Sequence, residues 1–241
     1  MLIIKSMKSQ ILFFLLTVSF SFGCVFANEM LDPIALQAEL EAQELAQLGT
    51  KYDLMTDTSY EKFLDDSHPF SDPQYIPSDL AYIISDFTFN RAHTFQLRNE
   101  AGTAFADLAW HFWNANGGKK KLSINSAYRS YKVQKNLTQN CHHHHCAKAG
   151  TSEHQAGLAI DLGVNGRRID PLSLAWLQTN AHKWGYHQTY QKGIAIDGKR
   201  VEPRHWRYLG TGLATELYEK QMSFGEWFYT QSTTQEQGNL P

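Results

Sequence analysis

The sequence predicts an α+β domain, a small antiparallel sheet with flanking helices, on three observations. Strand-like and helix-like segments do not alternate as the regular βαβ units of a parallel sheet. Asp197-Gly198 is a two-residue hairpin signal of the kind that joins antiparallel strands. Apolar residues recur at helical spacing over 96–115, the mark of a helix with one buried face.

The 241 residues suffice for one or two domains and a sizeable core without disulfide support. Lys+Arg 22 against Asp+Glu 24 lacks the basic excess of a nucleic-acid binder, so no nucleic-acid partner is expected. Three Cys are too few for a disulfide scaffold, whereas the 11 His stand out.

Residues 1–27 read as a secretory signal peptide. Lys5 and Lys8 precede the uncharged apolar run Ile11 to Phe22, and Val25-Phe26-Ala27 resembles a small-x-small cleavage site. The run is shorter than the roughly 20 residues of a spanning helix, so no stable membrane span is expected after cleavage. An uncleaved anchor and a lipid-modified Cys24 are the competing readings. The expected location is outside the cytoplasm, in the periplasm or cell envelope. Removal of the leader leaves Cys141 and Cys146, an even pair that suggests a disulfide in an exported protein.

Residues 28–73 read as an N-terminal helix and an extended spacer. Asp32, Pro33 and Gly49 give cap, first-turn and stop signals for a helix over 32–48, and Pro69, Pro73 and Pro77 mark the extended stretch. The domain proper is expected over 74–230. Its first helix, 96–115, carries Leu97, Ala101, Ala104, Phe105, Leu108 and Phe112 on one stripe and stops at Gly117-Gly118. Residues 122–126 alternate as a strand, 130–137 form a short helix, and 157–162 form another strand. Asp170-Pro171 starts a helix with Leu174, Leu177, Ala181 and Trp184 on its buried side, and Gly185 ends it. Residues 186–190 and 194–196 read as extended, with a return strand over 201–208 after the Asp197-Gly198 turn. A helix lies within 211–229, and 231–241 read as a loose polar tail.

Three segments carry chemistry: Ser126-Ala127-Tyr128-Arg129-Ser130-Tyr131 with Gln134 three residues on, Ser152 to Asp161, and Glu202 to Tyr208. Two His and one carboxylate are a ligand set for Zn²⁺ that leaves a position for water, and His154, Asp161 and His205 are the candidates. Glu202, three residues before His205, is the candidate general base. Arg129 is suited to an oxyanion or a substrate carboxylate. Each residue alone has a plainer reading, as a hydrogen-bonded or surface group.

Ser152-x-His154-x-x-Gly157-x-Ala159-x-Asp161 followed by Glu202-x-x-His205 resembles the zinc D-alanyl-D-alanine carboxypeptidases of the VanY type. The Ser126 to Tyr131 segment with Gln134 is similar to that family's upstream motif, and the resemblance covers roughly 74–210. It implies one Zn²⁺ per chain on His154, Asp161 and His205, with Glu202 as base and Arg129 facing the substrate. It implies substrate contacts at Ser126, Tyr128, Gln134 and Ser152. The implied fold is the small α+β domain shared with hedgehog-type signalling domains, and the implied substrate is the peptidoglycan stem peptide. An L,D-carboxypeptidase acting on tetrapeptide stems is the alternative within the enzyme class. A non-catalytic zinc- and peptidoglycan-binding module is the alternative outside it, and Glu202 argues against it. The loop Cys141-His142-His143-His144-His145-Cys146 departs from the family pattern. A disulfide-closed surface loop and a second metal site are its two readings. The sequence sets no oligomeric state.

Overall fold

The computed structural model describes residues 52–139, 141 and 146–237. The leader, the helix expected over 32–48 and His142 to His145 lie outside the described residues.

Among the described residues, the first strand is β1 (Leu80–Tyr82), which pairs antiparallel with β2 (Gln96–Arg98). Helix α1 follows directly, over Asn99–Ala115. Its buried face is Ala101, Phe105, Leu108, Ala109 and Phe112, as the periodicity predicts. Its start is later than predicted, because Leu97 is buried from a strand. Arg98 N donates to Gly157 O and Asn99 N to Asp79 O, so neighbouring segments hold the backbone there.

The central sheet has four strands: β3 (Leu122–Ser126), β4 (Ala159–Val164), β5 (Tyr186–His187) and β6 (His205–Tyr208). Their order is β3-β4-β6-β5, antiparallel throughout. All four residues of β6 are buried. Helix α2 (Tyr131–Thr138) follows β3, and Ser130 caps it by accepting from Val133 N. Helix α3 (Pro171–Asn180) starts where Asp170 accepts from Ser173 N, as the Asp-Pro signal predicts. A short 3₁₀ turn, Ala181–Trp184, ends at Gly185 with φ 75°. A Cβ at Gly185 would lie 2.6 Å from Tyr208 Cε2 and 2.9 Å from the Gly210 carbonyl carbon, so both conformation and space require glycine.

Two expectations are corrected between β5 and β6. Residues Ile194–Asp197 form a helical turn, α4, instead of an extended segment. Asp197 Oδ2 accepts from the backbone N–H groups of Gln191, Lys192 and Gly193, so the carboxylate gathers the chain into a local coil. Gly198 is the left-handed cap of that turn, not half of a hairpin. The return strand begins only at His205, because His205 N bonds to Glu202 O in a turn containing Pro203.

Helices α5 (Gly210–Lys220) and α6 (Phe224–Gln237) are the last of the described elements. Helix α6 runs through Thr230, so the polar composition beyond that point does not end it. A cluster of Leu213, Leu217, Phe224, Trp227 and Phe228 closes on Phe63, whose ring stacks on Phe228 at 3.8 Å. Packing therefore starts upstream of the boundary expected at 73/74. Phe63, Leu64 and Phe70 are buried, Arg98 Nη1 donates to Thr58 O, and Arg207 Nη2 donates to Tyr60 O and Lys62 O. Among the described residues, no helix is long and apolar enough to cross a membrane.

Candidate metal centre and cleft

The sheet register brings distant residues into one row. Asp161 on β4 stands directly opposite His205 on β6, and Ser126 on β3 stands opposite Asp161. A register shift between Ile124 and Ser126 adjusts β3 at this point, as irregularities beside functional sites commonly do. His154 arrives from the tight turn before β4. That turn is made by Gly157, at φ 67°, whose N–H donates to His154 O. A Cβ there would lie 2.8 Å from Leu80 Cδ2 and 3.2 Å from Arg98 Cγ.

One ligand atom from each of His154, Asp161 and His205 lies within 4.8 Å of the others. His154 Nδ1 donates to Ala127 O at 2.8 Å, which leaves Nε2 to face Asp161 Oδ2 at 3.5 Å. That Nε2 is buried without a hydrogen-bond partner. His205 Nδ1 lies 3.3 Å from Asp161 Oδ1, and its Nε2 lies 2.7 Å from Glu153 Oε2. Each imidazole thus has one nitrogen tied outward and one turned toward the carboxylate. Two imidazole nitrogens and a carboxylate suit Zn²⁺, and such an ion would give the orphaned His154 Nε2 a partner. The residues fit the group.

The electrostatics agree. Burial would raise the Asp161 carboxyl, but His154 and His205 outweigh that and hold it far below the usual carboxylate range. Burial would lower His205, but Asp161 and Glu153 raise it to about 9. A divalent cation bound there would have to displace that proton, because a ligating imidazole is neutral. Burial pushes His154 down, favouring its neutral, ligand-competent form.

Glu153 was not singled out in the sequence, yet it anchors the site. It is 2% exposed and receives Arg207 Nη1 at 3.1 Å and Thr189 Oγ1 at 2.9 Å as well as His205. Burial works against its charge, but Arg207, then His205, bring its pKa to about 2. Alternation along β6 puts Arg207 on the same face as His205, but nothing in the sequence links either of them to Glu153.

A cleft of about 360 Å³ surrounds the cluster. It is lined by Ser126, Arg129, Gln134, Ser152 and Glu202 together with the three candidate ligands. Tyr128 does not line it; its N–H donates to Gln96 O on β2. Arg129 keeps a buried Nε without a hydrogen-bond partner, and its N–H donates to His154 O. Gln134 Nε2 donates to Ala147 O at 2.6 Å. Glu202 N donates to Tyr190 O, and Glu202 O accepts from Gln188 Nε2. Tyr190, also missed in the sequence, sets its ring 5.0 Å from that of His205. Cys141 and Cys146 are joined in a disulfide with Cα atoms 6.2 Å apart, and Cys146 lines the cleft.

Comparison with known proteins gives a consistent picture. Residues 94–211 match the family described as VanY: D-alanyl-D-alanine carboxypeptidase. The chain is 31% identical over 113 residues to a D-alanyl-D-alanine carboxypeptidase of Enterococcus faecium. That match covers 46% of this chain and 37% of the relative, so it spans little more than a third of that protein's length. The LD-carboxypeptidase LdcB superposes with a TM-score of 0.63 at 26% identity, covering 72% of this chain and 87% of LdcB. A vancomycin-resistance D,D-pentapeptidase VanY in complex with Zn(II) superposes with a TM-score of 0.56 at 22% identity. That match covers 69% of this chain and 97% of VanY and speaks for the fold alone. The α+β expectation, with its small antiparallel sheet, is the fold observed.

Proposed function

We propose that the chain, whose residues 94–211 match the family described as VanY: D-alanyl-D-alanine carboxypeptidase, is a zinc-dependent carboxypeptidase that removes the terminal D-alanine from peptidoglycan stem peptides. The observation that carries this reading is the convergence of His154 Nε2, the Asp161 carboxylate and His205 Nδ1 at the floor of one cleft. These groups would hold one Zn²⁺ per chain. Three protein ligands, not four, are the donor number of catalytic zinc. When bound there, the ion supplies Lewis acidity, polarising the scissile carbonyl and making water a stronger nucleophile near neutral pH.

The chain's own residues do the rest. Glu202 takes the proton of the attacking water and delivers it to the amine nitrogen as the C–N bond breaks. The water oxygen forms the new C–O bond, and D-alanine leaves. The two main-chain bonds of Glu202, to Tyr190 and Gln188, hold the segment that presents its carboxylate. Arg129, with an unpartnered Nε in the cleft, holds the substrate's terminal carboxylate or the negative charge that develops on the carbonyl oxygen. Ser126, Gln134 and Ser152 line the walls against which the polar peptide backbone lies. Tyr128, outside the cleft, is given no substrate role. Work on the cell wall agrees with the leader read in residues 1–27, and we place the protein in the periplasm or cell envelope.

The likeness to LdcB favours a second reading, an L,D-carboxypeptidase that trims tetrapeptide stems. One experiment separates the two. Purified protein with zinc is incubated with pentapeptide and tetrapeptide stems side by side, and products are read by mass spectrometry. Release of D-alanine from the pentapeptide supports the D,D reading, and release from the tetrapeptide alone supports the L,D reading. Release from neither overturns both.

A further inference from the structure

Glu202 lines the cleft, yet among the described residues no hydrogen bond or ion pair holds its carboxylate. Its place is therefore set by its main chain. After β5 the chain makes an excursion over residues 191–201, which includes α4, and returns at Glu202 before β6. Asp197 Oδ2 coils the excursion on itself through the N–H groups of Gln191, Lys192 and Gly193, and Ile194, Ala195 and Ile196 are exposed. Where its two ends meet, Glu202 N donates to Tyr190 O at 2.9 Å.

Gln188 closes this neck. It is 4% exposed, and its Nε2 lies 3.4 Å from Tyr190 O and 3.3 Å from Glu202 O, so one amide group donates to both sides. Its Oε1 accepts from Gln178 Nε2, on α3, at 2.9 Å. The reversed amide would set its oxygen against two carbonyl oxygens, so these partners leave one orientation. Gln188 O accepts from Gln191 Nε2 at 3.0 Å, which ties the first residue of the excursion to the same point. The next residue, Thr189, donates to Glu153 Oε2, and Glu153 reaches His205. Two consecutive residues thus refer the base and a candidate metal ligand to one short stretch of chain.

We infer that Gln188 is a positioning residue for Glu202, with Gln178 orienting its amide, and that the pair sets the reach of the base toward the attacking water. The inference rests on the carboxypeptidase reading above and adds to it the side chains that place the base. A general base works only within about 2.6–3.2 Å of its proton partner, and a misplacement of about 1 Å costs on the order of 10²-fold. Neither carbonyl depends on Gln188 alone, because Tyr190 O keeps Glu202 N and Glu202 O keeps His205 N as donors. Loss of the amide therefore loosens the neck without orphaning a carbonyl.

The test begins with Gln188→Met, which keeps the length of the side chain and removes both donors. On stem peptides kcat should fall about tenfold, with KM within about twofold of wild type. Zinc should stay at one ion per chain. Hydrogen exchange, read by mass spectrometry, should quicken in peptides spanning 190–205 and stay unchanged in those spanning β4. In the double variant with Glu202→Gln, Gln188→Met should lower the residual kcat no further, because the group it places is already gone. Gln178 is exposed, so Gln178→Ala tests the orienting bond without touching the core, with an expected loss of about threefold in kcat. Unchanged kcat in Gln188→Met overturns the inference, as does an equal fold-loss with and without Glu202→Gln. If Gln188→Met does not fold, Gln178→Ala decides by the same comparison with Glu202→Gln. A wild type that releases D-alanine from no stem peptide overturns the carboxypeptidase reading itself. That outcome is distinct from a wild type that cuts and whose variants cut equally fast.

Discussion

Glu153 Oε2 lies 2.7 Å from His205 Nε2, and this buried pair fixes which nitrogen of His205 faces Asp161. A carboxylate on the far nitrogen sets the tautomer and ring angle of a metal-binding imidazole. Glu153→Gln keeps the shape, removes the charge and leaves Arg207 facing a neutral amide. Zinc affinity, measured by chelator competition, should fall about 10- to 100-fold. Thermal stability of the metal-free protein should also fall, because the Arg207 guanidinium is fully buried against Glu153. Unchanged zinc affinity would remove the orienting role.

Glu202 supplies a different test, since it lines the cleft without belonging to the three-residue cluster. Glu202→Gln should lower kcat by on the order of 10²–10⁴. Zinc should remain bound at one ion per chain, read by elemental analysis of dialysed protein. Loss of the metal in this variant would make Glu202 a ligand instead of a base.

The legible parts of this molecule are those whose cause is local. The stripe of α1 and the Asp170 cap of α3 are each written in a few neighbouring residues; β3 forms where expected but buries Leu122, Ser123 and Ile124 in succession instead of alternating. His154, Asp161 and His205 were candidates on residue type, carried by the resemblance to the VanY-type motif, and the register of β4 with β6 sets Asp161 opposite His205. The Asp197-Gly198 segment misled because a hairpin signal and a helical cap share the same two residues. The carboxylate's bonds to Gln191, Lys192 and Gly193 decide between them. Glu153 was silent because its partners Thr189 and Arg207 are 36 and 54 residues away in sequence.

Asp170 gives a pH dependence away from the metal. Its hydrogen bond from Ser173, with Lys120 beside it, lowers its carboxyl to about 2 in the folded protein. A depressed folded pKa means that its stabilisation is present above the unfolded value, near 4, and is lost as pH falls toward 2. The side chain is 38% exposed, so solvent screening limits the effect to about 1 kcal/mol, the usual worth of a helix cap. Asp170→Ala should therefore lower stability to urea by about that amount at pH 7. The gap between variant and wild type should close as pH is taken from 4 toward 2. A gap that stays constant across that range would assign the loss to packing instead of charge.

Gly157 ties the fold to the site. Alanine there must adopt φ 67° and place its Cβ 2.8 Å from Leu80 Cδ2, so Gly157→Ala should destabilise by about 1–3 kcal/mol. Gly185→Ala faces a comparable conflict, at φ 75° and 2.6 Å from Tyr208 Cε2. The two differ in what they move. Gly157 N bonds to His154 O and Gly157 O accepts from Arg98 N, so strain at 157 passes straight to a candidate ligand. Gly185 O accepts from Leu209 N, in a corner that carries no candidate ligand. Both variants should unfold at lower temperature, while only Gly157→Ala should weaken zinc binding at a temperature where both remain folded. Equal zinc affinity in the two would separate the turn from the metal centre.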